Sequence, residues 1–254
     1  MPESNVRLFT GADLKAGAEI SLEAGQSHYL AHVMRLTPGR TALLFNGRDG
    51  EWAAVIEELT KKRCRVRIES CRRRQELEPD LWLVFAPVKK NATDFIVEKA
   101  TELGVSRLCP VFTAFTATTR FNRDRLDVHA VEAAEQCRRM SVPHVDEAVS
   151  LDRLLEGWSD DRQLLVADES GSGKPITKVA DEFRGGSRSA MSGYGLLIGP
   201  EGGFSDAERD QLSRREIVTM IDLGPRILRA ETAAVSALAC WQALIGDWYG
   251  ISHT

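Results

Sequence analysis

The rhythm of apolar residues changes once in this chain, near Asp80, and that change constrains the fold more than any other feature. From Leu81 to Val88 the sequence reads LWLVFAPV, an unbroken apolar run. A strand with one wet face alternates polar and apolar residues, whereas an unbroken run belongs to a strand covered on both faces. Comparable strand segments recur at Leu108–Phe112, Gln163–Ala167, Tyr194–Ile198 and Val218–Leu223. Between and after them lie segments with helical character: Asn91–Leu103, Arg125–Met140, Leu151–Trp158, Ile176–Phe183, Asp206–Arg215 and Glu231–Tyr249. In the first of these, Ala92, Phe95, Ile96, Ala100 and Leu103 fall on one face, Asn91 is the expected cap, and Gly104 the expected stop. Alternating strands and helices predict a mostly parallel sheet with helices on its faces, an α/β class.

Before Asp80 the pattern is different. Short apolar stretches, Thr41–Phe45, Trp52–Ile56 and Cys64–Ile68, are separated by the turn pairs Pro38-Gly39, Asn46-Gly47 and Asp49-Gly50. A short helical stretch around Ser27–Met34 interrupts them. Strands this short and this close predict a small β-barrel. The expected division is a domain over 1–76 and a larger one over 80–254, with charged Arg72–Pro79 as the linker region.

Charge and cysteine usage narrow the function classes. The 254 residues carry a net charge of −4, which excludes a histone-like polycation. Residues 1–79 nevertheless hold 13 Lys/Arg against 11 Asp/Glu, and Lys61–Arg74 has eight basic residues against one acid. Such a stretch fits either a polyanion site or a strand edge whose positive charge blocks unwanted pairing. No apolar run approaches the roughly 20 residues of a membrane span. MPESNVRLFT lacks the basic and apolar regions of a secretory signal, so a cytoplasmic location is expected. The five cysteines form no C-x-x-C pair and the five histidines do not cluster, so no metal is expected.

Chemistry is expected beyond the carboxyl ends of the parallel strands, where open α/β sheets bind ligands. Two such ends are unusual. After Leu196-Leu197-Ile198 comes Gly199-Pro200-Glu201-Gly202-Gly203, then Ser205-Asp206-Ala207-Glu208, a capping-box pattern. Glycines there let a ligand approach the backbone. After Ile221-Asp222-Leu223 comes Gly224-Pro225-Arg226-Ile227-Leu228-Arg229, entering a helix through Glu231-Thr232-Ala233-Ala234. Arg226, Arg229 and Glu231 thus gather at a strand end beside a helix start, although Glu231 also suits the helix dipole alone. Familiar nucleotide loops are excluded. Gly171–Lys174 (GSGK) has Asp at 168 and Pro175 where a phosphate loop needs Gly and Ser or Thr, and Gly193-Tyr194-Gly195 precedes its strand and lacks the third glycine.

IGPEGGFS at Ile198–Ser205 and LGPRILRAETAA at Leu223–Ala234 resemble the C-terminal signatures of the bacterial 16S ribosomal-RNA uridine-N3 methyltransferases of the SPOUT superfamily. VEKATELGV at Val97–Val105 and EAAEQCRRMSVP at Glu132–Pro143 resemble that family further upstream. Arg7-Leu8-Phe9 and His32–Leu36 resemble its PUA-like RNA-binding domain. One departure is Thr118-Thr119-Arg120, which stands where an acidic-Arg-Ser pattern is expected.

The resemblance implies a C-terminal trefoil-knotted α/β domain behind a small N-terminal PUA-like β-barrel. It implies S-adenosylmethionine as cofactor, held by Leu197, Ile198, Gly199, Pro200, Glu201, Gly202 and Gly203 on one strand end. Leu223, Gly224, Ile227, Leu228 and Thr232 would hold it from the other. Arg229, Glu231 and Arg7 are the implied catalytic residues. Arg229 would stabilise charge on the uracil oxygens, and Glu231 would orient it or take a proton. RNA contacts are expected from Arg7, Arg35, Arg72, Arg73, Arg74, Arg120 and Arg139. The implied substrate is uridine 1498, in the usual numbering, of 16S RNA within the small ribosomal subunit, and the implied assembly is a homodimer paired at the last helix. Two other readings fit parts of the pattern: an RNA-binding module without catalysis, and a SPOUT enzyme acting on tRNA. The intact glycine loop separates the first, and the RNA that accepts methyl separates the second.

Overall fold

The computed structural model describes residues 6–118, 121–185 and 193–249. The chain divides into two compact units, Met1–Leu77 with Ala134–Val142, and Glu78–Ala133 with Pro143–Thr254.

The first unit holds strands β1 (Arg7–Phe9), β2 (Glu19–Leu22), β3 (Thr41–Phe45), β4 (Glu51–Leu59) and β5 (Cys64–Arg73). A short helix α1 (Ala24–His28) runs directly into a π-helical turn, Tyr29–Val33. The strands form one sheet in the order β1-β3-β4-β5-β2, with β1 parallel to β3 and the other pairs antiparallel. Period-2 alternation builds its core: Ile20 and Leu22 from β2, and Cys64, Val66 and Ile68 from β5, point inward with Leu44 and Ile56. Three register shifts between β4 and β5 bend these two long strands. Of the expected turn pairs, Asn46-Gly47 and Asp49-Gly50 share the β3–β4 connection and Pro38-Gly39 leads from the π-helical turn into β3, while β1 and β2 are too short to have been legible.

The second unit is a parallel sheet. Its strands are β6 (Leu81–Phe85), β7 (Arg107–Phe112), β8 (His144–Val145), β9 (Val149–Ser150), β10 (Arg162–Ala167), β11 (Lys174–Pro175), β12 (Gly193–Ile198) and β13 (Val218–Asp222). The order is β11-β13-β10-β12-β6-β7-β8, and β9 also pairs with β7. Helices are α2 (Lys90–Glu102), α3 (Arg123–Cys137, whose last turn from Ala134 belongs to the first unit), α4 (Leu151–Glu156), α5 (Ile176–Gly185), α6 (Asp206–Ser213) and α7 (Ala230–Leu244). On one face α2 and α5 pack with α7. On the other, Leu151 and Leu155 of α4 and Leu212 of α6 close over Val84, Leu164, Val166 and Leu197. The unbroken apolar strands are therefore covered on both faces, as their composition requires.

Most element boundaries shift slightly from expectation, and three shifts are informative. Lys89, not Asn91, caps α2; the Thr93 hydroxyl instead bonds Val88, closing the strand-to-helix turn. The run Leu81–Val88 ends as a strand at Phe85. Helix α7 stops at Leu244 rather than Tyr249, with Trp241 buried against Tyr194. Among the described residues no helix is long and apolar enough to cross a membrane, and no group of three or more His, Cys, Asp or Glu is placed to hold a metal ion.

Candidate active site

The strand order makes the site. Strand β10 lies between β12 and β13, so the chain passes from one side of β10 to the other between its two glycine-bearing strand ends. Loops that are well separated in sequence thus meet over one sheet edge, the arrangement in which open α/β sheets bind ligands. A cavity of about 230 Å³ opens there. Ile198, Gly199, Pro200 and Glu201 line it from the end of β12. The end of β13 and the start of α7 contribute Ile221–Leu228, Ala230 and Ala233. The end of β10 adds Ala167, Asp168, Glu169 and Gly171.

Local sequence explains the shape of each wall. Pro200 to Gly203 form a turn closed by the Gly203 N–H on the Pro200 carbonyl, 2.9 Å. Gly203 has φ +68°, and a Cβ on it would fall 1.5 Å from Glu169 Oε1. The left-handed backbone there favours glycine, and the exposed Glu169 side chain lies where a Cβ would point. The Ser205–Glu208 capping box then starts α6 as expected, and Glu208 also accepts the Ala114 N–H at 2.7 Å. On the third wall, Asp222 Oδ1 accepts the Gly224 N–H at 2.9 Å, and Gly224 has φ +115° with no atom near a would-be Cβ. Glycine is needed there for the backbone, and its bare edge leaves the cavity open. Ile227, 83 % exposed, stands at the opening with its apolar side chain uncovered.

Of the expected cofactor residues, Ile198, Gly199, Pro200, Glu201, Leu223, Gly224, Ile227 and Leu228 line this cavity. Leu197, Gly202, Gly203 and Thr232 do not. Leu197 is wholly buried in the core, Gly202 backs onto Phe115, Gly203 shapes the turn, and Thr232 is exposed on α7. The β10 end was missed. Its Asp168-Glu169 pair follows an apolar strand, but only the strand order places that end between the other two.

Arg229 is the N-cap residue of α7, with an exposed side chain that makes no capping bond. Glu231 lies in the first turn of the same helix, half-buried. Among the described residues neither side chain is in an ion pair. They flank Ala230, which lines the cavity.

The expected RNA-facing arginines divide sharply. Arg7 is 7 % exposed. Its Nε donates to Glu51, its Nη1 to the Ala134 and Glu135 carbonyls (both 2.9 Å), and its Nη2 to the Arg139 carbonyl (2.8 Å). Four of its five N–H donors are thus used, and its guanidinium lies 4.5 Å from the Phe45 ring centroid. Arg7, expected among the catalytic and RNA-contacting residues, here satisfies the open carbonyls at the end of α3. Arg73 is similarly committed, donating to Glu51 and to the Arg138 carbonyl. Burial alone would raise the Glu51 carboxyl, but hydrogen bonds from Arg73 and Arg7 outweigh it and hold it below the usual glutamate value. Arg139 turns to Ser141 at 3.0 Å. Arg35 is exposed, with φ +51°, just after the π-helical turn. Arg72 and Arg74 are exposed, and Arg120 lies outside the described residues.

The basic stretch as a whole is no bare cationic patch. Arg65 reaches Glu19 and Glu57, Arg67 reaches Glu57 and Glu69, and Arg63 reaches Glu58. Strand β5 is also internal to its sheet, between β4 and β2. Much of its positive charge is therefore met by carboxylates across the strands.

Comparison with known proteins agrees with this geometry. Residues 75–242 match the RNA methyltransferase domain family, and residues 22–69 match the RNA methyltransferase PUA domain family. The Ribosomal RNA small subunit methyltransferase E of Rickettsia conorii is 30 % identical over 235 residues, 92 % of this chain and 93 % of the relative. That of Bacillus subtilis is 30 % identical over 241 residues, 91 % and 92 % of the two chains. The crystal structure of a Ribosomal RNA small subunit methyltransferase E from Neisseria gonorrhoeae bound to S-adenosyl methionine superposes with a TM-score of 0.85 at 25 % identity, covering 96 % of this chain and 99 % of the other. Strand order, glycine turns and sequence similarity converge on one assignment: this chain belongs to the family of the ribosomal RNA small subunit methyltransferases E.

Proposed function

We propose that this protein transfers the methyl group of S-adenosylmethionine to N3 of uridine 1498, in the usual numbering, of 16S RNA in the small ribosomal subunit. The observation that carries the reading is the cavity over β10, β12 and β13, with its two glycine turns. Its lining suits such a cofactor. Ile198, Leu223, Ile227 and Leu228 offer apolar enclosure for an adenine, and the glycine turns leave backbone open to it. Several carboxylates suit a ligand bearing positive charge. Bound there, S-adenosylmethionine supplies a methyl group already activated on a sulfonium, so the protein needs no covalent intermediate.

The remaining task is to place the uracil and help N3 lose its proton. Arg229, exposed beside the cavity with no ion-pair partner among the described residues, stabilises the negative charge that develops on the uracil oxygens. Glu231, two residues on in the first turn of α7, accepts the proton. N3 lies on the Watson–Crick edge, so the base must be unpaired or flipped, at a cost of about a few kcal/mol. The shape of the assembled subunit supplies that presentation. Arg35, Arg72 and Arg74 on the first unit are the exposed cations that meet RNA phosphates. The protein acts in the cytoplasm as a homodimer, and Trp248 and Tyr249, 49 % and 55 % exposed after α7, suit its interface. Light scattering should give twice the chain mass; a monomer mass would remove the dimer from the proposal.

The test uses small subunits purified from a strain lacking the protein. With radiolabelled S-adenosylmethionine, assembled subunits should accept methyl far better than protein-free 16S RNA. Equal labelling of the naked RNA would reject the need for assembly, and labelling of neither would reject the activity.

A further inference from the structure

The mechanism above leaves one buried ionisable group in the cavity wall unused. Asp168 closes β10, its backbone N–H still paired to the Ile221 carbonyl of β13. The residue is 5 % exposed. Its Oδ2 accepts from the Ser170 hydroxyl and, at 3.2 Å, from the Ser172 hydroxyl. Its Oδ1 is buried with no hydrogen-bond partner. Among the described residues no cation forms an ion pair with it. Arg209, whose guanidinium feels both Asp168 and Glu169, is committed to Asp206 and the Phe204 carbonyl.

Two neutral hydroxyls hold the carboxylate in place without cancelling its charge. A buried charge left in that state is costly unless something opposite in sign meets it. The space beside it is the cavity, whose other charged side chains are Glu169, Glu201 and Asp222 against Arg226 alone. Those four are solvent-exposed or half-buried and are screened by water; the field of Asp168 is not.

We propose that Asp168 is a fixed negative charge that makes the cavity select the cationic sulfonium cofactor over its neutral thioether product. The inference rests on the cofactor reading above and adds a role to a residue outside both glycine motifs. Methyl transfer takes the S–CH3 bond to an N–CH3 bond and leaves the sulfur with its electron pair. The ligand thereby loses one positive charge while its shape changes by a single methyl. A wall of uncompensated negative charge then holds the product less tightly than the substrate, which favours release after turnover.

The measurement is calorimetric binding of S-adenosylmethionine, S-adenosylhomocysteine and sinefungin, an analogue that carries an amine in place of the sulfonium. In the unaltered protein both cationic ligands should bind more tightly than S-adenosylhomocysteine, by roughly tenfold, the scale of one charge pair about 6 Å apart at an effective dielectric of about 40. In Asp168→Asn the preference should vanish, chiefly through weaker binding of the two cations. Thermal melting of that variant checks that it is folded. If it is not, the salt dependence of the unaltered protein carries the test: the preference should persist as ionic strength rises, and its loss at high salt would assign it to the exposed carboxylates and overturn the inference. Equal affinity for charged and neutral ligands in the unaltered protein, or a preference untouched by Asp168→Asn, would overturn the inference while leaving the cofactor site intact. Failure of all three ligands to bind would instead overturn the cofactor reading.

Discussion

In the first unit the most conspicuous charges answer one another. Buried Arg7 and Glu51 form a cluster with the exposed Arg73, and the remaining donors of the two arginines end at the carbonyls of Ala134, Glu135, Arg138 and Arg139. On β5, Arg65 and Arg67 face glutamates on neighbouring strands. In the second unit, the charges around the cavity are left open: Arg229 and Glu231 have no ion-pair partner among the described residues, and Asp168 has only hydroxyls. The residues look alike in sequence and do opposite work. A charge whose partners are internal reports on folding, whereas one held at a strand end without a partner reports on a ligand.

That contrast predicts different failures. The largest effect should come from Arg229→Ala. Loss of one donor to developing charge lowers methyl transfer by about 10²–10³-fold, while cofactor affinity and melting temperature stay put. Single-turnover transfer of labelled methyl reads it, and an active Arg229→Ala would erase the distinction between the units. Arg7→Ala should do the reverse. Truncating one partner of a buried ion pair costs about 3–5 kcal/mol, seen in urea unfolding, with cofactor affinity intact wherever the second unit remains folded.

The same cluster sets an acid limit. Because the folded Glu51 carboxyl lies below its unfolded value, its stabilisation is present above the unfolded pKa of about 4.3 and is lost as pH falls through the folded value. Denaturation of Glu51→Gln should therefore change less with pH over that acid window than denaturation of the unaltered protein. A parallel pH dependence would remove Glu51 from the account.

Smaller effects sharpen the picture. Gly224→Ala places a Cβ at φ +115° in otherwise open space, so strain of about 1–3 kcal/mol should appear as weaker cofactor binding by calorimetry. Unchanged affinity would mean that the turn tolerates side chains. Replacing both Arg72 and Arg74 by Ala should reduce the salt dependence of RNA binding, by about one unit of slope for each phosphate no longer neutralised. Arg65→Ala, already met by glutamates, should reduce it less. If Arg65 mattered equally, the cross-strand pairs would not be neutralising the stretch.

Much of this was legible in the sequence, and the reasons for the rest are specific. The long strands of the second unit announced themselves because burial on both faces demands unbroken apolar runs such as Leu196-Leu197-Ile198, whereas the two-residue β8, β9 and β11 carry no such run. The glycine turns were visible because few other residues tolerate what Gly203 and Gly224 must do. The β10 end was not visible, since Asp168 and Glu169 join the site only through a strand order that local pattern does not encode. The internal partners of Arg7 were hidden for the same reason: Ala134, Glu135 and Arg139 are more than 120 residues away. Long-range pairing, not local propensity, separates a structural arginine from one that meets a ligand.

The most direct test of the central claim is nucleoside mapping of 16S RNA by mass spectrometry, in cells lacking this protein and in the same cells supplied with it. Loss should remove 3-methyluridine at one site, the unaltered chain should restore it, and Arg229→Ala should not. An unchanged RNA, or a missing methyl that proves to lie on ribose or on C5 of the base, would contradict the account.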